Sequence, residues 1–347
     1  MKNSFFQSKN HQLILKLVEG IPNQRTQAIV SCRFGLEDGH RQTLEAIGQK
    51  YNITRERVRQ IENAAFVSLY DNGAEKKLSS TWQKIDNFFN QQGNLVREER
   101  LMKELTNTDQ PHPYRGSLFL TLALGRPYNR FVESQAFYPL WTNSEEVLTK
   151  AERIINDLTG KLNKDNQTIE INTALGFLKE KHSQYPETYL MSYLDATKEV
   201  HQNGFGKVGL AHWSEINPRG VKDKAYIVFK QQSKPLHFRE VADLINQAGF
   251  NNSTACPQTV HNELIKDGRF VLVGRGIYAL TEWGYKPGTI REVIADLLKK
   301  TGPMKKDQIL QGVLKDRLVK ENTVLINLQN RQYFAKDNNG RYYLSDK

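Results

Sequence analysis

Residues 43–69 read TLEAIGQKYNITRERVRQIENAAFVSL, and this stretch decides how the first part of the chain folds. Two helical patterns are separated by a short break at residues 51–53, and the hydroxyl of Thr54 offers an N-cap for the second helix. If that helix begins near Arg55, apolar residues recur on one side of it. This packed stripe is predicted at Val58, Ile61, Ala65 and Leu69. The pattern therefore predicts a helix-turn-helix.

A second face of the same helix is polar and lies at its N-terminal end. It carries Arg55, Glu56, Arg59 and Gln60. In an arbitrary helix such a face is usually a solvated surface. The alternative is a base-reading surface, because helix-turn-helix proteins insert this end into the major groove. Arg pairs with guanine, Gln with adenine, and Glu accepts a hydrogen bond from cytosine.

Three segments of this region closely resemble the fourth conserved region of bacterial primary sigma factors: Arg33-Phe34-Gly35-Leu36, TLEAIG and TRERVRQIE. The similarity runs from about Leu13 to Leu69 and includes the turn Gly20-Ile21-Pro22 and the helix that ends at Cys32. The resemblance implies a helix-turn-helix that reads the minus-35 promoter hexamer. It identifies Arg55, Glu56, Arg59 and Gln60 as base readers. Contacts near the phosphate backbone are expected from Thr43, Leu44, Thr54 and Arg57.

The end of this helix departs from the family pattern. Sigma factors usually carry further basic residues there, where activators and the DNA backbone are met. This chain instead has Ala64, Phe66, Val67, Ser68 and Tyr70. An apolar end predicts packing against the rest of the protein.

Length and composition indicate a soluble globular protein of two to four domains or more small ones. The chain has 347 residues, of which 38% are hydrophobic, and its mean hydropathy is −0.62. No run approaches the roughly 18 apolar residues of a membrane span, and the N-terminal MKNSFFQSKNHQ lacks the apolar core of a signal peptide. We therefore expect no membrane partner and a cytoplasmic, nucleoid-associated protein. Cys32 and Cys256 have no metal-ligand spacing and are expected to be neutral thiols.

Charge is concentrated at the two ends of the chain. The formal net charge of +11 divides into +4 for residues 1–70, +1 for residues 71–230 and +6 for residues 231–347. This distribution favours a polyanion that is contacted at two places.

The second half of the chain contains an internal repeat. Trp213 corresponds to Trp283, and Tyr278-Ala279-Leu280 corresponds to Tyr342-Tyr343-Leu344. In the clearest copy we predict helices at 222–230, 238–248 and 257–266, followed by a β-hairpin at 270–280 around Gly274-Arg275-Gly276. Three helices and a hairpin make a winged helix. Its core is predicted at Leu244, Ile245, Val260, Leu264, Phe270 and Leu280.

This copy, from Pro235 to Trp283, resembles the HARE-type winged helix found at the head of the delta subunit of RNA polymerase. The resemblance rests on HFREVA and on TVHNEL followed by VGRGIYAL. It implies a module that binds nucleic acid or polymerase, and a pure protein-protein module stays open as an alternative. Exposed candidates on the third helix and the wing are Gln258, Thr259, His261, Asn262, Lys266, Arg269 and Arg275.

Two weaker copies are expected upstream, near 82–141 and 169–213, and repeated tryptophans are expected to pack beside the wings. The match to GxGxxG at 204–209 follows a helix and enters a strand, so we interpret it as a wing turn. A polar linker is expected at 71–80. The fold class is mainly α, with a helix-turn-helix followed by tandem winged helices. The predicted domains are 1–72, 73–150, 151–220, 221–286 and 287–347.

Two functions from different classes fit these patterns. The first is a DNA-binding transcription regulator or polymerase accessory protein that reads a minus-35-like element without melting the promoter. The promoter-melting region of sigma factors has no counterpart here. The alternative is a delta-like polymerase interaction subunit without sequence-specific DNA binding. We expect no enzyme, cofactor or metal, because no Walker loop, GxSxG, HExxH or zinc-spaced Cys/His cluster occurs. Double-stranded DNA is the expected partner, with RNA polymerase as a second candidate.

Overall fold

The computed structural model describes residues 5–125, 127–250, 254–285 and 287–345. Within these ranges the chain forms sixteen α-helices and twelve short strands, so the expectation of a mainly α fold is confirmed. Two units are present. The first comprises the chain up to His201 with Val208–Ala211, and the second comprises Gln202–Lys207 with the chain from His212.

Four helices form the head, which we define as residues 8–71. They are α1 Ser8–Glu19, α2 Gln24–Phe34, α3 Leu44–Tyr51 and α4 Arg55–Asp71. The predicted helix-turn-helix is confirmed as α3 and α4. Val58, Ala65 and Leu69 are buried and Ile61 is half-buried, as the apolar stripe predicts.

The polar stretch 71–80 is not a linker, and that prediction is wrong. Only Asn72 and Gly73 separate α4 from α5 Ala74–Gln91. Gly73 has a φ of 79°, a left-handed conformation that glycine adopts without strain. The polar residues of this stretch occupy the outer face of α5, while Leu78, Thr81 and Ile85 are buried on its inner face.

Four modules follow the head, and each repeats one order of elements: helix, short strand, helix, helix, strand, strand. The first module has α5, β1 Leu95–Arg97, α6 Glu98–Thr106, α7 Pro113–Leu124, β2 Asn129–Phe131 and β3 Leu140–Thr142. The second has α8 Glu146–Asp165, β4 Ile169–Glu170, α9 Ile171–Lys181, α10 Glu187–Ala196, β5 Val200–Gln202 and β6 Lys207–Leu210.

The third and fourth modules have the same order. The third has α11 Val221–Gln232, β7 Leu236–His237, α12 Phe238–Gln247, α13 Pro257–Lys266, β8 Phe270–Gly274 and β9 Ile277–Leu280. The fourth has α14 Ile290–Thr301, β10 Met304–Lys305, α15 Lys306–Asp316, α16 Glu321–Leu328, β11 Phe334–Lys336 and β12 Arg341–Leu344. In each sheet the last strand lies in the middle, as in β7-β9-β8. This is the winged-helix arrangement.

Two details differ from the sequence predictions. The short strand before each second helix was not predicted, because two or three residues show no periodic pattern. In the third module it pairs Leu236 with Tyr278 and His237 with Ile277. The expected domain boundary at residue 150 falls inside α8, so the first two modules meet at 143–145 instead.

The head and the first module share one hydrophobic core. It contains Phe34, Ala65 and Leu69 from the head together with Phe88, Leu118 and Trp141 from the first module. Helix α7 lies at the centre of this contact. A Cβ added to Gly116 of α7 would lie 2.4 Å from the carbonyl oxygen of Gly35. The two parts therefore pack backbone to backbone.

The third module has its own core, as predicted. Ile245, Val260, Leu264, Phe270 and Leu280 are buried, and Leu244 is half-buried against them. Trp283 packs on Phe229 with ring centroids 6.2 Å apart, which confirms the packing role predicted for the tryptophans.

The GxGxxG match at 204–209 spans the turn between β5 and β6, where Gly206 has a φ of 83°. Its interpretation as a wing turn is confirmed. In the described part of the chain, no helix combines the length and the apolar character that crossing a membrane requires.

The backbone contact at Gly116 gives a stability prediction. We expect Gly116→Ala to lower the free energy of unfolding of the first unit by about 1–3 kcal/mol, because the added methyl group overpacks α7 against Gly35. Urea unfolding followed by the fluorescence of Trp82 and Trp141 measures this change.

Gly160→Ala is the matched control, since Gly160 lies within α8 and an added Cβ meets no atom within 4 Å. It should leave stability unchanged or raise it by up to about 1 kcal/mol. Equal effects of the two substitutions would contradict the proposed close approach.

Candidate nucleic-acid interface

A tight turn orients the two helices of the helix-turn-helix. Asn52 ends α3 in the left-handed conformation with a φ of 54°, and the amide of Ile53 donates to the carbonyl of Gly48 at 2.9 Å. A Cβ on Gly48 would lie 2.7 Å from the carbonyl oxygen of Ile53. Glycine at this position therefore permits the close approach of α3 to the start of α4.

A small separate core supports this pair of helices. Ile29 of α2, Ile47 of α3 and Val58 of α4 are fully buried together. Half-buried residues close this core, among them Leu44 and Tyr51. Because Val58 points inward, the neighbouring residues of α4 point outward.

The predicted base readers lie together on this outward face. Arg55, Glu56, Arg59 and Gln60 are all exposed. Arg59 pairs with Glu56 through two hydrogen bonds of 2.6 and 2.9 Å, and the Arg57 guanidinium donates to the Gln60 amide oxygen at 3.1 Å. The face is thus ordered by contacts between side chains one helical turn apart.

The hydrogen bonds from Arg59 lower the pKa of the Glu56 carboxyl below its ordinary value. Glu56 is therefore charged at neutral pH and acts only as an acceptor. A carboxylate that holds an arginine in place keeps lone pairs for a donor such as the amino group of cytosine.

The predicted phosphate-backbone residues divide into two kinds. The hydroxyls of Thr43 and Thr54 cap α3 and α4, each accepting a backbone hydrogen bond at 3.1 Å, from Ala46 and Arg57 respectively. The side chain of Leu44 packs into the small core, so a phosphate contact from Leu44 must use its backbone amide. Arg57 is exposed.

Two basic residues beside the turn were not selected from the sequence. Arg25 at the start of α2 donates to the carbonyl of Tyr51 at 2.6 Å, and Lys50 is exposed at the end of α3. Both lie next to the chain that leads into α4. Their signal is weak in sequence because they are far apart along the chain and become neighbours only in the folded head.

The C-terminal half of α4 is anchored, as its apolar residues predict. Leu69 is fully buried, Phe66 packs against the shared core, and the Tyr70 hydroxyl donates to the carbonyl of Leu124. Val67 alone among the large residues there is mostly exposed, at 62%. One end of α4 is therefore fixed while the other faces solvent.

The third helix of a winged helix is the element that enters a groove of DNA, and the modules differ in its exposure. In the first module, nearly the whole of α7 is buried, including Leu118, Leu120 and Leu122. In the second, the α10 residue Tyr193 is buried and donates to the carbonyl of Gly93. In the third and fourth, α13 and α16 each bury only two residues.

The candidate residues of the third module lie mainly on the open side of α13. Gln258, Thr259, Asn262 and Lys266 are exposed, as is Arg275 at the tip of the wing. His261 is half-buried and shares a hydrogen bond with the Tyr278 hydroxyl.

Arg269 is not at the wing tip, contrary to the prediction. It precedes β8 at the opposite end of the hairpin and forms ion pairs with Asp267 at 2.7 Å and Asp223 at 3.0 Å. Hydrogen bonds to these carboxylates raise the pKa of Arg269 and lower that of Asp267. Its guanidinium is thereby committed to holding the module together.

Two family models match parts of the chain. Residues 23–71 match Sigma-70, region 4, and residues 219–283 match HARE-HTH, a helix-turn-helix domain of ASXL and restriction endonuclease type. Both resemblances found in the sequence are thus confirmed. The first match covers α2 to α4, and the second covers the elements from α11 to β9.

Curated relatives match only the head. The sigma factor SigA of Clostridium acetobutylicum is 42% identical over 65 residues, which are 19% of this chain and 17% of that protein. The principal sigma factor HrdD of Streptomyces viridifaciens is 45% identical over 47 residues, 14% of each chain. SigA1 of Synechococcus elongatus is 51% identical over 45 residues, 13% of this chain and 11% of that protein. The chain thus spans less than a fifth of the length of these relatives.

The cap of α4 gives a local prediction. Thr54→Ala should weaken the first turn of α4 by about 1 kcal/mol, because the backbone amide of Arg57 loses its acceptor. Hydrogen exchange of that amide should accelerate by about fivefold, whereas Thr54→Ser, which keeps the hydroxyl, should match the native protein. Equal exchange in both variants would show that the hydroxyl does not support this turn.

Proposed function

We propose that this protein is a DNA-binding transcription protein whose head reads a minus-35-like promoter hexamer through α4. One observation carries the proposal: the four side chains that match the base readers of sigma region 4 share one exposed face at the N-terminal end of that helix. Such a face suits the major groove in size and in hydrogen-bonding groups.

The anchoring of α4 supports the proposal. A base-reading helix discriminates between bases only if its side chains are held in a fixed register on the duplex. Here Val58 and Leu69 are completely buried, on either side of Ala65, so the helix is held along its length. Arg25, Lys50 and Arg57 add positive charge around the base-reading face, which favours approach to phosphate.

We further propose a role without promoter melting and without catalysis. The head corresponds to less than a fifth of the sigma factors that it resembles, and the proposal assigns to it only their upstream reading step. Within the described residues, no group of three or more His, Cys, Asp or Glu is arranged to hold a metal ion. A nucleoid-associated location in the cytoplasm follows from the same proposal.

Duplex binding tests the proposal directly. The full chain should bind a labelled duplex with a TTGACA-like hexamer more tightly than a scrambled duplex. Its affinity should fall steeply with salt, with a log-log slope of about −0.9 for each phosphate contacted. Fluorescence anisotropy between low and moderate salt measures both quantities. Absence of salt-dependent binding to the hexamer duplex would overturn the proposal.

A second function is favoured by a different observation, the match of residues 219–283 to the HARE-type domain. By resemblance to the delta subunit, the chain would then be an RNA polymerase interaction subunit that does not read sequence. The two functions differ in their dependence on the exposed face of α4, since only the first requires it.

Substitutions on that face separate the two functions. Arg59→Ala and Gln60→Ala should each relax discrimination at one base position, on the order of tenfold to hundredfold, because one base loses its hydrogen-bonding partner. Binding to a series of hexamers with single changes measures this. In the interaction-subunit alternative, neither substitution alters DNA selectivity or co-purification with polymerase.

Ser68→Ala is a suitable control, because Ser68 lies on α4 beyond the base-reading end. It should leave discrimination at every position unchanged.

A further inference from the structure

The wings of three modules are occupied by contacts with the chain that follows them. In the first, the amide of Lys198 donates to the carbonyl of Ala136, and Phe137 pairs with Thr197. In the second, the wing tip 202–207 carries Phe205, whose ring lies 5.6 Å from that of Phe250.

The third wing shows the same use at its edge strand. The amide of Leu318 in the fourth module donates to the carbonyl of Val273 at 2.9 Å. A Cβ on Gly274 would lie 2.5 Å from the Leu318 carbonyl oxygen. This contact brings the wing-tip residue Arg275 close to the short segment that leads into α16.

The wing of the fourth module is the exception. We define it as residues 336–341. Among the described residues, the backbone hydrogen bonds of this wing stay within the module: the amide of Asp337 donates to Arg341, and that of Gly340 donates to Asp337. Asn338 and Asn339 at its tip are exposed, as is Lys336.

The outer face of α16 is open as well. Asn322 and Thr323 are exposed, and Ile326 is 62% exposed. The fourth module therefore presents both a third helix and a wing.

The charge of this module suits a polyanion. Residues 287–345 contain eleven Lys and Arg against six Asp and Glu. Lys320 immediately before α16, Arg331 after it and Lys336 on the wing are all exposed. Glu321 is the only acidic residue between Lys320 and Lys336. Exposed asparagines lie between these cations, and amide side chains donate and accept hydrogen bonds at phosphates and base edges.

We propose that the fourth module is a second contact for double-stranded DNA, made by α16 and the wing 336–341, with Arg275 of the third module at its border. The proposed function assigns DNA reading to the head, and this inference rests on it only for the identity of the partner. Neither family model covers the fourth module. Because α7 is buried and α10 packs on the chain around Gly93, the first two modules act as packing elements. The DNA contacts then lie in the head and the last modules.

The test compares two triple variants of the full chain on a long labelled duplex that lacks the hexamer. The first, K320A/R331A/K336A, removes three cations from the proposed surface. The control, K222A/K234A/K299A, removes three exposed lysines outside the third helices and wings of both modules. We expect the salt-dependence slope to fall by about two to three in the first variant and to stay unchanged in the control. Thermal unfolding verifies that both variants are folded.

The hexamer preference of the same proteins separates the two proposals. K320A/R331A/K336A should keep the native ratio of affinities for hexamer and scrambled duplexes, and Arg59→Ala should lose it. A folded K320A/R331A/K336A variant with the slope of the control overturns the second contact, even where the hexamer preference persists. Loss of polymerase co-purification in that variant, with DNA binding unchanged, also overturns it and identifies a protein-binding surface. A reduced slope in a protein without any hexamer preference supports the second contact and overturns the reading function of the head.

Discussion

The first unit depends on the close packing of α7 against the backbone of the head. Gly116 allows this approach, since any side chain there would meet the carbonyl oxygens of Phe34 and Gly35. The approach lets one hydrophobic core run from the head into the first module. Because the end of α4 is part of that core, the position of the base-reading face follows from a contact that involves none of its residues.

This packing explains how one topology serves different purposes along the chain. Each module alone buries only a small core, and neighbouring chain segments cover its remaining apolar surface. In the first module the third helix is covered by the head, and in the second the third helix packs on the chain around Gly93. A helix that is covered in this way cannot enter a groove. Toward the C-terminus, α13 and α16 each bury only two residues, and their outer faces remain available.

Much of the local structure was predictable from the sequence. Periodic apolar residues, capping hydroxyls and the Gly-Arg-Gly turn determine α3, α4 and the hairpin of the third module, because these signals act within a few residues. The same reasoning failed at 71–80, where a polar composition indicated a linker. Helix α5 is polar there only on its outer face, and the pattern of Leu78, Thr81 and Ile85 that buries its inner face begins late in the stretch.

The sequence by itself determined which side chains face outward on a given helix, as for Arg55, Glu56, Arg59 and Gln60, because helical geometry follows from local pattern. The tertiary structure decided which helices stay open and which charges stay unpaired. Arg269 has the chemistry of a phosphate contact, yet Asp223, 46 residues away, binds it. Exposure and ion pairing depend on chain segments that are distant in sequence, and only folding brings those segments together.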